Sequence, residues 1–421
     1  MRQSIRPGAP LMNSRQWAEE NNMSKLIPIL AVMFSASAFA NTAEGEYIAR
    51  IADCVACHTQ KNGDEMAGGK RFQTPLGDIF STNITPDRQQ GIGAYSYEEF
   101  DRAVRQGIAR DGHYLYPAMP YPSYEKMKEE DIRSLYDYFM HGVKPSAQKN
   151  QASEIPWYFS PRWPLRIWNG LFTETAAGTA VAQDPQQNRI MRGKYIVEGP
   201  GHCGACHTPR GIAQQEKAYD SADPVYLSGA MIDGWFAPSL RDLTLADDEL
   251  QALLHRGRSR HSAVAGPMSE VITQSTQYLT EADRRSVSAY LLSLNSDKAH
   301  GDRVVSSERA KTKNASGNAL YFRYCSTCHA IDGKGTDYNV PSLVNNAAVN
   351  AEDPANLIKV IAWGAETPVT KGNIPYKMPA YQGEISDEQL RDVVNYVRGA
   401  WGNHVEPISE QKIKDVLENK H

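Results

Sequence analysis

The sequence predicts an all-α protein made of three small helical domains in tandem, and three observations predict it. A Cys-x-x-Cys-His run occurs three times: at Cys54, Cys57 and His58, at Cys203, Cys206 and His207, and at Cys325, Cys328 and His329. Together the runs use all six cysteines of the 421-residue chain. A methionine follows each run at a related distance. His58 and Met119 are 61 positions apart, as are His207 and Met268, while His329 and Met378 are 49 apart. Around these landmarks, apolar residues recur at helical spacing.

Residues 1–22 are polar and form an upstream leader. After Met23 and Lys25 comes an apolar run, Leu26 to Phe34, then Ala38-Phe39-Ala40. This reads as a signal peptide over 23–40, cleaved before Asn41, with Met23 as the start that suits it. The run is far shorter than the ~20 residues a membrane span needs.

Domain one is expected over 41–148. Its opening helix carries Gly45-Glu46-Tyr47-Ile48. Its second helix begins at Ser96 with Glu99 three residues on, a capping box, and stops at Gly107. Its closing helix carries Ile132, Leu135, Tyr136, Phe139 and Met140. Residues 149–184 form a linker holding Trp157, Tyr158, Phe159, Trp163, Trp168 and Phe172, with Pro156, Pro161 and Pro164 opposing a long helix. Large aromatics tend to be buried, so this segment is expected to pack between domains, with a partner subunit or lipid headgroups as the other surfaces it suits.

Domain two, 185–298, repeats the plan. It has Gly193-Lys194-Tyr195-Ile196, a helix from Asp247 to Arg256 stopped at Gly257, and a closing helix with Val287, Tyr290, Leu291 and Leu294 behind a Thr280 cap. A polar linker, 299–314, leads to domain three, 315–404. There Gly317 opens, Pro354 to Trp363 ends at Gly364, and a capping box at Ser386 and Gln389 begins a helix with Leu390, Val393, Val394, Val397 and Trp401. The tail, 405–421, has only the weak amphipathic pattern Ile408, Ile413, Val416 and Leu417.

Two thiols three residues apart on one helical turn can form thioethers to the two vinyl groups of a haem, and the adjacent imidazole then reaches the iron. The runs therefore predict three covalently bound haem c groups. Structural zinc would need four ligands in one place, and a redox dithiol would not need the histidine. Cys54, Cys57, Cys203, Cys206, Cys325 and Cys328 are the expected attachment sites, with His58, His207 and His329 as axial ligands. Methionine in the sixth position closes the iron and raises its potential, and Met119, Met268 and Met378 occupy the matching places. His113 and His261 are rivals in the first two domains, but domain three has no histidine between His329 and Met378. Met66, Met127, Met140 and Met231 are read as fillers, and His202 and His255 as surface residues. A ligating imidazole needs a carbonyl for its other nitrogen, for which Pro341 suits His329 and Pro75 is the guess for His58.

The chain carries 45 basic and 49 acidic residues, net −4. No basic face accompanies the motifs, so nucleic acid is not an expected partner. Membrane contact would be peripheral.

The chain resembles the triheme cytochrome c subunits of bacterial membrane-bound alcohol and sugar dehydrogenases, including those of gluconate 2-dehydrogenase-like complexes. The resemblance rests on Ser81-Thr82-Asn83-Ile84-Thr85-Pro86-Asp87, Leu115-Tyr116-Pro117-Ala118-Met119-Pro120-Tyr121, Gly266-Pro267-Met268, Ser275-Thr276-Gln277-Tyr278-Leu279, Met378-Pro379-Ala380 and Ala400-Trp401-Gly402-Asn403. It implies three tandem cytochrome c-like domains, each wrapped round one haem, relaying electrons to ubiquinone at the periplasmic, outer face of the bacterial inner membrane. The donor would be a catalytic subunit holding FAD or PQQ that oxidises gluconate or a similar sugar acid or alcohol, with a small third subunit possible in the complex. The chain itself would have no catalytic residues and would not oxidise substrate alone. A free periplasmic multihaem shuttle is the alternative reading, and a peroxidase-type haem enzyme a weaker one, since that needs an open iron.

Overall fold

The computed structural model describes residues 42–158, 160–173, 185–241, 243–295 and 314–418. The leader and signal peptide, Phe159, the end of the aromatic linker and residues 299–313 of the polar linker lie outside the described residues.

Three helix pairs organise the chain. Helix α1 (42–51) leads into α2 (Cys54–His58), the first motif. Helices α3 (Tyr97–Gln106), α4 (Tyr121–Tyr124) and α5 (Glu129–His141) complete the first core. The linker supplies α6 (Pro164–Phe172). The second core follows with α7 (Pro185–Glu198), α8 (Gly204–His207), α9 (Asp247–Arg256), α10 (Pro267–Gln274) and α11 (Glu281–Ser293). The last has α12 (Ala315–Tyr324), α13 (Ser326–His329), α14 (Ala355–Trp363), α15 (Asp387–Gly399) and α16 (Glu410–Glu418).

In each pair the opening helix crosses the closing one at a glycine. A Cβ added at Gly45 of α1 would fall 1.9 Å from the Ser134 carbonyl oxygen of α5. At Gly193 of α7 it would fall 2.0 Å from that of Ser286 on α11, and at Gly317 of α12 2.2 Å from that of Asp392 on α15. The helices touch backbone to backbone, and apolar residues close round each contact: Ile48, Ile132 and Leu135; Tyr195, Val287 and Leu291; Tyr321, Leu390, Val393 and Val394.

Local signals held where they were complete. Ser96 and Glu99 form a reciprocal capping box, as do Ser386 and Gln389, and Thr280 accepts from the Asp283 amide. The C-terminal segment folds back: Ile413, Val416 and Leu417 of α16 are buried in the third core.

The all-α expectation is corrected. Three antiparallel hairpins interrupt the helices: β1 (Arg71–Thr74) with β2 (Gly77–Phe80), β3 (Ala230–Ile232) with β4 (Trp235–Ala237), and β5 (Ala365–Glu366) with β6 (Lys377–Met378). At two to four residues per strand, they are too short to register as alternation. In the turn between β3 and β4, Asp233 and Gly234 both have positive φ (49° and 71°), the conformation that an Asp-Gly hairpin loop adopts.

The first two cores are welded together. Ile51 of α1 is buried in the second core. The Asp283 carboxylate of α11 accepts from Tyr47 Oη at 2.6 Å and from Arg192 Nε and Nη2 at 2.8 and 2.7 Å. The second and third cores meet through Asn356, whose side chain pairs both ways with the Phe236 backbone at 2.9 and 2.7 Å. The Ser342 amide also donates to the Arg260 carbonyl at 2.7 Å.

Two outcomes follow. Gly317→Ala drives a methyl group into a helix backbone and is expected to destabilise the third core by about 1–3 kcal/mol; an unchanged denaturation midpoint would contradict the crossing. Burial works to raise the Asp283 pKa, but its bonds from Arg192 and Tyr47 outweigh this and hold it below the ordinary carboxylate range. Its contribution is therefore complete at neutral pH and lost as pH falls below that range. Asp283→Asn should lower the melting temperature at pH 7 and shrink the loss between pH 7 and pH 3.

Candidate haem-attachment sites

The three motifs occupy equivalent settings. Each histidine ring turns its Nδ1 to a backbone carbonyl: His58 to Thr82 at 2.7 Å, His207 to Pro238 at 2.7 Å and His329 to Pro341 at 3.3 Å. Pro341 stands where the spacing put it. For His58 the acceptor is Thr82, not Pro75, which lies in the turn between β1 and β2. A carbonyl can only accept, so Nδ1 carries the hydrogen and the lone pair of Nε2 stays free for a metal. Burial holds all three imidazoles below their usual pKa, opposed only by those carbonyl bonds.

The six cysteines form no disulfide. Burial, the largest cause in each case, pushes Cys54, Cys57 and Cys203 up to about 12 and Cys206 and Cys325 up to about 11. A reactive dithiol has a lowered pKa, so these thiols do not match one. Five of the six cysteines are half-buried and Cys328 is exposed; such a pair beside an imidazole with a fixed tautomer suits a covalently held haem.

Met119 lies in the turn before α4 and packs on the first core together with Cys54. Met378, in β6 opposite Ala365, packs on the third core together with Cys325. Met268 differs. It lies in the first turn of α10, half-buried, and is not among the residues packed on the second core with Cys203. Helix α10 leans instead on the first motif: Glu270 pairs with Lys70 at 2.6 Å, and Lys70 also reaches the Ala56 carbonyl at 2.8 Å. The rival histidines are engaged by carboxylates, His113 with Asp111 at 2.5 Å and His261 with Glu249 at 2.8 Å. Met66 and Met127 are core residues, as expected.

Several residues near the motifs escaped the sequence. His202 is no ordinary surface residue: with φ 36° it bonds the Ala52 backbone and stacks edge-on against Tyr124 at 5.7 Å. Asp53, also with positive φ (55°), is pushed up to about 8 by burial and by Glu270, with Lys70 opposing. Glu216 is pushed up to about 7 by burial, against Arg210 and Lys126, and its Oε2 lies 2.4 Å from where a Gly204 Cβ would stand. His202, next to Cys203, stacks on Tyr124, whose Oη donates at 2.7 Å to the Ala52 carbonyl just before Cys54, so the first two motifs are neighbours. Only the three-dimensional packing carries this information.

Residues 314–401 match the cytochrome c family model, and with it the third motif. Over most of its length the chain is similar to the alcohol dehydrogenase (quinone) cytochrome c subunit of Gluconacetobacter polyoxogenes, 44% identical across 90% of this chain and 87% of the relative. It is similar as well to the gluconate 2-dehydrogenase cytochrome c subunit of Pantoea cypripedii, 42% identical across 89% and 91%. The fructose dehydrogenase cytochrome subunit of Gluconobacter japonicus is 36% identical across 88% and 82%. The chain belongs to this family of dehydrogenase cytochrome c subunits.

As a member of the family it is an electron-transfer subunit carrying covalent haem c, and its partner is a catalytic dehydrogenase. The family model covers one segment only, which with the hairpins corrects the expectation of an all-α chain of three tandem cytochrome c-like domains. The residue after Thr82, whose carbonyl holds His58, is Asn83, and its side chain anchors this segment. Buried Asn83 donates to the Ser146 and Gln148 carbonyls at 2.8 and 2.9 Å and accepts from Thr85. Asn83→Ala leaves those groups unpaired and is expected to cost about 2–3 kcal/mol. It should also shift the redox potential of the haem centre at His58; a titration with no potential changed would show that this network does not position His58.

Proposed function

We propose that this chain binds three haem c groups and conducts electrons from a catalytic dehydrogenase subunit to ubiquinone. The observation that carries the reading is the threefold recurrence of two cysteines beside a histidine whose Nδ1 is fixed on a carbonyl. Cys54 and Cys57, Cys203 and Cys206, and Cys325 and Cys328 would hold the haems, and His58, His207 and His329 with Met119, Met268 and Met378 would supply the iron ligands. When bound, each haem supplies a reversible one-electron site.

The chain's own residues hold, orient and enclose. The Thr82, Pro238 and Pro341 carbonyls fix the rings, and burial keeps the imidazoles neutral. The contact of His202 with Tyr124, which bonds the Ala52 carbonyl, supports transfer between the first two sites. The Ser342 bond to Arg260 brings the loop beside Pro341 against the second core, which supports transfer to the third.

The partner would hold FAD or PQQ and oxidise a CH–OH donor, as the names of the relatives suggest: an alcohol, gluconate or fructose. The relative whose name includes a quinone supports a quinone acceptor. The signal-like residues 23–40 support a periplasmic position on the outer face of the inner membrane, and a small third subunit is compatible with the complex. Substrate oxidation would stay with the partner's cofactor.

The intact mass of the exported chain should exceed the unmodified mass by three haems, and fewer would remove the corresponding site. Met119→Ala, Met268→Ala and Met378→Ala should each convert one haem to high spin and lower its potential. For Met268, carried on a helix that leans on the neighbouring core, an unchanged spectrum would remove that ligand. The complex lacking this subunit should still reduce an artificial dye with substrate but fail to reduce ubiquinone, and unimpaired quinone reduction would overturn the role.

A further inference from the structure

The aromatic linker divides into two faces. Trp168 donates from Nε1 to the Ala213 carbonyl at 2.9 Å and stacks edge-on against Tyr121 at 6.1 Å. Buried Asn169 accepts from Tyr121 Oη at 2.6 Å and donates to the Gln106 carbonyl at 3.2 Å. This inner face bolts α6 to the body beside the Met119 turn. The outer face is largely exposed: Trp163, Ile167 and Leu171, successive turns of one stripe, are 68%, 57% and 69% exposed, and Trp157 and Tyr158 just before them 82% and 59%. The expected burial between domains therefore holds for one side of the helix only.

We infer that this outer face rests on a phospholipid surface, with Ile167 and Leu171 in the acyl boundary and Trp157, Tyr158 and Trp163 at headgroup level. Four observations carry it. The stripe is apolar and held rigidly by the opposite side of its own helix, as an in-plane interfacial helix requires. Exposed tryptophan and tyrosine, each with an apolar body and a polar tip, suit the headgroup zone. Residues 157–172 include Arg162 and Arg166 but no acidic residue, in a chain of net charge −4, which complements anionic lipid. Arg162 is committed to the Tyr114 carbonyl at 2.9 Å and the Tyr116 ring at 3.7 Å, while Arg166 is exposed beside Ile167.

Competing anchors are weaker. Among the described residues no helix is long and apolar enough to cross a membrane, and the apolar side of α16 is spent on the third core. The inference rests on the ubiquinone reading, because a chain that reduces a lipid-dissolved acceptor has to meet the lipid.

The test uses the intact haem-loaded complex and vesicles of phosphatidylcholine mixed with phosphatidylglycerol, with flotation as the readout. The double variant Ile167→Glu, Leu171→Glu is expected to lower the vesicle-bound fraction by more than about tenfold. Dye reduction and the haem spectrum should be unchanged, and Arg166→Gln should lose only the dependence on phosphatidylglycerol. Flotation of the double variant equal to wild type would overturn the inference. So would release of the dehydrogenase subunit from the variant on gel filtration with vesicle binding intact, which would make this face a protein interface. If wild-type complex bound vesicles through this face yet could not reduce ubiquinone, the relay reading would fail and the lipid face would stand.

Discussion

The backbone contact between opening and closing helices is the constraint on which everything else in this molecule depends. At Gly45, Gly193 and Gly317 a helix lies against the carbonyl of its partner with no room for a methyl group. That approach sets where each opening helix ends, and each haem motif begins within a few residues of that end. Two thiols and an imidazole must meet a rigid flat group to within a fraction of an ångström, so the motif has to start from a fixed platform. Apolar packing round each crossing then fixes the closing helix, and the loops between are left free to specialise.

Those loops supply what the motifs cannot. The hairpins and turns that follow each motif bring the Thr82, Pro238 and Pro341 carbonyls to the histidine rings. They are also where the three cores touch, through Lys70 and Glu270, Phe236 and Asn356, and Arg260 and Ser342. Holding the rings and joining the cores thus fall to the same segments. A single chain can in this way set sites at fixed separations, which separate proteins meeting by diffusion could not do. Buried Lys359 shows how closely the second and third cores meet: its Nζ lies 5.2 Å from both the Trp235 and the Trp363 rings.

Local chemistry was legible in the sequence, and long-range geometry was not. Capping boxes at Ser96 and Ser386 and the glycine stops at Gly107 and Gly257 need only a few neighbouring residues, and they stand where they were expected. Pro341 was within reach because only twelve positions separate it from His329. Tyr47 and Asp283, 236 positions apart, could not be paired from spacing. Nor could His202 be placed against Tyr124, or Met268 on a helix that leans on a neighbouring core. The hairpins were missed for a different reason: strands this short carry no periodic signal.

Conduction through this chain is the central claim, and rapid mixing of the complete complex with its donor substrate tests it most directly. The haem absorption should rise to full reduction within one turnover. On adding ubiquinone it should decay at a rate no slower than steady-state quinone reduction. Haem absorption that stays oxidised while quinone is being reduced, or that decays more slowly than turnover, would contradict the account, because electrons would then be reaching the acceptor without passing through this subunit.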